Sequence, residues 1–98
     1  MNGMAYRLLE ILTDKPQSKG DLQDQLHCGE RDVRRAVKEL RENGYNIASN
    51  SERKGYWLGD EEDRLRTIRE LRSRARKLEK TAAALEKGVD LGQIRMEV

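Results

Sequence analysis

The stretch Ser18-Lys-Gly-Asp-Leu-Gln-Asp-Gln-Leu-His-Cys-Gly-Glu-Arg-Asp-Val-Arg-Arg-Ala-Val-Lys-Glu-Leu-Arg-Glu-Asn-Gly44 decides how the chain is read. Ser18 is placed to accept the Asp21 amide as an N-cap, and Leu22 and Leu26 stand four apart, so Lys19 to Leu26 reads as a short helix. His27-Cys28-Gly29 follows as a three-residue turn. Val33, Ala36, Val37 and Leu40 then recur at spacings of 3, 1 and 3, which is one stripe of a longer helix from about Glu30 to Asn43. Asn43-Gly44 supplies the residues that close a helix through a left-handed conformation.

Working outward, Leu8, Leu9, Ile11 and Leu12 share a face of a segment from about Met4 to Thr13, which Lys15-Pro16 stops because the residue before proline disfavours helical geometry. After Gly44 the period changes. Tyr45 to Ser49 and Gly55 to Leu58 are β-prone runs joined by the polar turn Asn50-Ser51-Glu52-Arg53-Lys54, a two-stranded ribbon. On it Tyr56 and Leu58 are expected to close the core, with Trp57 on the opposite face against a fourth helix. Asp60 is placed to cap that helix, Glu61, Glu62 and Asp63 suit its N-terminal dipole, and it runs about 27 residues to Lys87, with Gly88 as its stop. The expected class is mainly α with a small β-hairpin: three helices and the ribbon over residues 1–59, one long helix over 60–88, and a weakly patterned tail over 89–98.

With 98 residues, 39% of them charged and no Phe, the chain holds one modest core, and burial gained by self-association would matter. The longest apolar run is Ala82 to Leu85, so neither a membrane span nor a signal segment is expected, and a cytoplasmic location follows. Cys28 cannot form an internal disulfide, and with His27 it falls short of a zinc ligand set; it reads as a small apolar residue, and neither metal nor cofactor is expected. The net charge of +2 conceals an uneven distribution. Arg31 to Arg41 carries five basic residues against two acidic ones, and Arg64 to Lys80 carries eight against two.

A helix, a three-residue turn and a second helix with an exposed basic face meet the physical requirement for entering a major groove, which is just wide enough for one helix. With Val33, Val37 and Leu40 inward, Arg31, Arg35 and Lys38 point most directly outward, and Arg34 and Arg41 lie on one flank. Arg31 with Arg35, and Arg34 with Lys38, are like charges four apart that a polyanion would neutralise. The alternative is a solvated face balanced by Glu30 with Arg34 and Arg35 with Glu39.

From Leu8 to Leu58 the sequence resembles the winged helix-turn-helix at the N-terminus of biotin-repressor-like and DeoR-type bacterial regulators. The resemblance rests on Lys19-Gly-Asp-Leu-Gln-Asp-Gln-Leu, on Arg31-Asp-Val-Arg-Arg-Ala-Val-Lys-Glu-Leu-Arg-Glu-Asn-Gly-Tyr with Ile47, and on Lys54-Gly-Tyr-Trp-Leu. Where those families hold a Gly-apolar-Ser turn, this chain has His27-Cys28-Gly29, so a glycine replaces the usual capping serine, at a cost of a few tenths of a kcal/mol. The resemblance implies a DNA-binding function for a double-stranded target. Arg31 and Arg35 would read base edges, each good guanine pair being worth roughly 1–3 kcal/mol of discrimination. It likewise implies that Ser18, Lys19, Arg34, Lys38 and Arg41 hold phosphates, and that Arg53 and Lys54 at the wing tip reach a neighbouring minor groove or its backbone.

The fourth helix carries Ile68, Leu71, Ala75, Leu78, Ala82 and Leu85 in an a/d register with leucine at every d position, implying a coiled-coil homodimer seam. In a parallel pair Arg74 at g would face Glu79 at e of the other chain; pairing direction stays open, as does folding of the stripe back onto its own domain. An enzyme is not expected: there is one His, one Cys, no glycine-rich phosphate loop after a strand, and no converging carboxylates. No effector domain is apparent, so no small-molecule effector is expected. The functions in view are a small transcriptional regulator of bacterial or phage type, a winged-helix module for protein partners, and an accessory factor in phage replication or excision.

Overall fold

A computed structural model describes residues 2–50, 52 and 55–89. Its elements run α1 (Gly3–Ile11), β1 (Gln17–Ser18), α2 (Lys19–Leu26), α3 (Glu30–Glu42), β2 (Ile47–Asn50), β3 (Gly55–Leu58) and α4 (Glu61–Lys87). The protein is thus mainly helical, with a small three-stranded antiparallel sheet and one long C-terminal helix. Its contacts divide it into two compact units, Met1–Thr67 and Ile68–Val98, with α4 beginning in the first and ending in the second. Among the described residues no helix is long and apolar enough to cross a membrane.

The apolar stripes read from the sequence meet in one core. Ala5, Leu8 and Leu12 from α1 and its exit, Leu22 and Leu26 from α2, and Val33, Ala36, Val37 and Leu40 from α3 are buried together with Ile47 and Tyr56 of the sheet. Caps set the helix limits. The Asn2 side chain accepts the Ala5 amide at 3.0 Å, and the Ser18 hydroxyl accepts the Asp21 amide at 3.1 Å. The end of α3 is closed by amides of Gly44 and Tyr45 donating to the carbonyls of Arg41 and Leu40, with Gly44 at φ +88°. That pair of bonds needs a left-handed residue, which glycine supplies without strain.

The sheet departs from a simple ribbon. α1 ends at Ile11 rather than near Thr13 because Leu12 turns extended, and the Thr13 carbonyl accepts the Leu58 amide at 2.7 Å. Gln17 and Ser18 then pair with Tyr56 and Gly55, so the order is β1-β3-β2 and β3 is central. A Cβ on Gly55 would lie 2.2 Å from the Gln17 carbonyl oxygen; only glycine lets β1 approach this closely. Tyr45 and Asn46 precede β2 instead of belonging to it. Tyr45 completes the closure of α3, and the Asn46 amide nitrogen donates to the Gly59 and Asp60 carbonyls at 2.9 and 2.8 Å, fastening the base of the hairpin.

Tyr56 closes the core as its pattern suggests, but Leu58 is 37% exposed, while Ile47, its cross-strand partner, is the residue buried at that end. On the other sheet face Trp57 is 2% exposed, and its indole N–H donates to Asp63 at 3.0 Å. Asp63 also accepts the Asp60 amide at 3.1 Å while Asp60 accepts the Asp63 amide at 2.8 Å, a reciprocal cap, and Arg66 donates to Asp63 at 2.6 Å. This cluster binds the first turns of α4 to the hairpin. The first compact unit extends to Thr67.

Partial burial pushes the Asp63 carboxyl up, but hydrogen bonds from Trp57, the Asp60 amide and Arg66 together hold it below the ordinary carboxylate value. A depressed folded-state value means the contribution is complete above the unfolded-state value near 4 and is lost as pH falls through the lower folded one. Asp63→Asn should therefore lower the melting temperature at pH 7, and the gap to the parent should close as pH falls below about 4. Melting curves from pH 7 to pH 2 check this; a gap that stays constant down to pH 2 would contradict it.

Candidate nucleic-acid interface

The rotation of α3 about its axis is set by burial. Val33 and Leu40 are fully enclosed and Ala36 and Val37 nearly so, which turns residues 31, 34, 35 and 38 to solvent. What distinguishes these cations is the fate of the acidic residues around them. Glu30 accepts Arg34 at 2.6 Å and also lies 3.7 Å from the Lys19 ammonium. Asp32 accepts the Gly29 amide at 3.2 Å, the half of a capping box that needs no side chain at the N-cap. Glu39 accepts the Asn2 amide at 2.8 Å, and Glu42 lies 3.9 Å from Lys38. Each of the four acids of α3 is thus engaged, and none pairs with Arg31 or Arg35. The Arg35–Glu39 pair that spacing allows is not formed, because Glu39 turns to the N-terminus of α1.

Among the described residues Arg31 and Arg35 are accordingly exposed guanidinium groups with no carboxylate partner, one helical turn apart on the same face. Arg34, Lys38 and Lys19 surround them in exposed pairs, with side chains 63%, 79% and 46% accessible. Such pairs contribute at most about 1 kcal/mol in water, so an incoming phosphate can displace the carboxylate at little cost. Ser18 is exposed at the start of α2; its oxygen accepts the Asp21 amide and its hydroxyl proton remains able to donate.

Arg41, expected at a phosphate, is engaged with the hairpin. It is half-buried, its Nε donates to the Ile47 carbonyl at 2.8 Å, and a terminal nitrogen donates to the Ser49 hydroxyl at 3.2 Å. It ties α3 to β2. Arg53 and Lys54 of the wing tip lie outside the described residues. The turn before α3 holds His27 at φ 51°, in the left-handed region, where it caps α2. The Leu26 carbonyl beside it accepts Arg7 at 3.2 Å. The Glu30–Arg34 pair follows from spacing, whereas the contacts of Glu30 with Lys19 and of Arg7 with Leu26 are not signalled by charge pattern alone, since those partners come from another helix. Cys28 is half-buried against the core.

The seam residues form a separate feature. Ile68 is half-buried; Leu71, Leu78 and Leu85 are 43%, 71% and 78% exposed, and Ala75 and Ala82 are exposed as well. No residue of α4 is buried.

No known protein family, no curated protein and no solved structure matches the chain, so the reading of these surfaces rests on their own residues.

The two kinds of arginine on α3 should separate in stability measurements. Arg41→Ala removes two bonds to β2 and should cost about 1–3 kcal/mol. Arg31→Ala and Arg35→Ala remove only a like-charge repulsion of about 0.2–0.5 kcal/mol and should leave urea unfolding unchanged or slightly strengthened. Equal losses at all three positions would show that Arg31 and Arg35 also serve the fold.

Proposed function

We propose that the protein is a sequence-reading, double-stranded DNA-binding protein of winged helix-turn-helix type, a small regulator that inserts α3 into the major groove. The observation that carries this reading is the pair of exposed, carboxylate-free arginines 31 and 35 on the face of α3 opposite its buried stripe. The arrangement around them supports it. α2, a three-residue turn and α3 pack on one core, and the β2–β3 hairpin follows α3, as the family resemblance implies for a wing.

In this reading Arg31 and Arg35 fork onto base edges, preferentially guanine, and Lys19, Arg34 and Lys38 exchange their carboxylates for phosphates, with Ser18 donating to the backbone. Arg53 and Lys54 extend the contact along the flank. Arg41 acts indirectly by holding the hairpin to α3. The exposed Leu71, Leu78 and Leu85 stripe supports the further proposal that the protein acts as a homodimer joined through α4.

Three phosphate-binding cations on each of two chains predict a steep response to salt. Affinity for a duplex recovered from a random pool should fall about a thousandfold or more between roughly 50 and 200 mM salt. Joint replacement of Arg31 and Arg35 by alanine should abolish preference for the selected site over random duplex, whereas Lys38→Ala should weaken both alike and flatten the salt slope by about one per chain. Fluorescence anisotropy titrations decide; duplex binding that is undetectable or indifferent to salt would favour a module for protein partners. For the homodimer, sedimentation should show two chains that separate on Leu78→Asp, and a monomer at tens of micromolar would end that part of the proposal.

A further inference from the structure

The apolar stripe of α4 carries size information as well as apolarity. Its a positions are Ile68, Ala75 and Ala82, and its d positions are Leu71, Leu78 and Leu85, all on one continuous helix. In a parallel pair each residue meets its own copy. Layers of two alanines, at 75 and 82, would then alternate with layers of two leucines, at 71, 78 and 85. Two helices at one axial separation cannot fill both: a spacing set by leucine leaves voids at alanine, and one set by alanine makes leucines collide. In an antiparallel pair a faces d. Leu71 then meets the second copy's Ala82, Ala75 meets Leu78, and Ile68 meets Leu85. Every inner layer contains one leucine and one alanine, so a single spacing packs them all.

Flanking charge selects the register. Arg72, Glu79 and Glu86 occupy e, and Arg74 and Thr81 occupy g. With Ala75 opposite Leu78, Arg72 faces the second copy's Glu79 twice over by symmetry. Sliding one heptad in one direction keeps two attractive contacts, Arg72 with Glu86, but sets Glu79 against Glu79. Sliding in the other sets Arg72 against Arg72 and Arg74 against Arg74. Both shifts create like-charge contacts. A parallel pair also gains two attractive contacts, Arg74 with Glu79, so charge fixes the register while side-chain size fixes the direction.

We infer that α4 binds α4 of a second copy of this chain antiparallel, centred between residues 76 and 77, with the Arg72–Glu79 pair as its electrostatic key. The inference rests on the self-association proposed above and adds its direction and register.

The test uses the full chain with Cys28→Ser and Lys87→Cys, spin-labelled at residue 87. In the proposed pair residue 87 lies opposite residue 66, so the two labels are about 21 residues, or roughly 31 Å, apart along the bundle. A parallel pair holds them side by side, and a slide that sets Glu79 against Glu79 brings them to about 21 Å. A second measurement uses charge. Glu79→Arg should weaken the dimer about tenfold, and adding Arg72→Glu in the same chain should restore it, while adding Arg74→Glu should not. Labels side by side, or rescue by Arg74→Glu alone, overturn the antiparallel arrangement, and an axial separation near about 21 Å overturns the register; each leaves the dimer standing. A protein that sediments as one chain overturns both.

Discussion

Burial of one stripe on α3 is the constraint on which the other features depend. Val33, Ala36, Val37 and Leu40 leave no rotational freedom about the helix axis, because turning it by even one residue position would expose two or more of them, at roughly 1.5–3 kcal/mol for each large side chain. With the rotation fixed, the direction of every other side chain on α3 follows. Arg31 and Arg35 face solvent, Glu39 faces the start of α1, and Arg41 reaches β2. The interface proposed for DNA is therefore the outer side of the core rather than a separate construction.

The same constraint explains why net charge is a poor guide to this surface. Acids and bases nearly cancel over the chain, yet on α3 the acids are spent on Lys19, the Gly29 amide, the Asn2 amide, Arg34 and Lys38. Two of these partners are backbone amides. Local excess positive charge arises from how the acids are partnered, and it falls on the two arginines that lack one.

Helix limits marked by caps were legible in the residues: α2 runs from the residue after Ser18 to Leu26, and α4 from the residue after Asp60 to Lys87, because a capping side chain and its amide lie three residues apart and are settled locally. Features that depend on distant pairing were not legible. β1 is two residues long, too short for any period, and exists only because β3 offers a free edge and Gly55 admits it. Arg41 belongs by spacing to the basic flank, and only the return of β2 beneath it supplies the carbonyl that claims it. Leu58 alternates correctly with Tyr56 yet lies at a strand end, where alternation no longer guarantees cover. For the candidate site, the outward position of Arg31 and Arg35 follows from helical period, whereas their lack of partners required knowing where Glu39 goes.

Two features of the chain run against local stability, and they share a logic. Like charges one turn apart on α3 disfavour that helix, and leucines standing in water along α4 forgo the burial that a modest core most needs. Among the described residues neither is corrected: no carboxylate pairs with the arginines, and Leu78 and Leu85 stay 71% and 78% exposed. A sequence consistent at every level would have placed acids beside the first and polar residues at the second. Under the proposed function each violation would be relieved by a partner of opposite character, a polyanion for the arginines and an apolar helix for the leucines. The proposed dimer on a duplex would supply both at once, and the stability forgone in the isolated chain would then become part of the driving force for assembly.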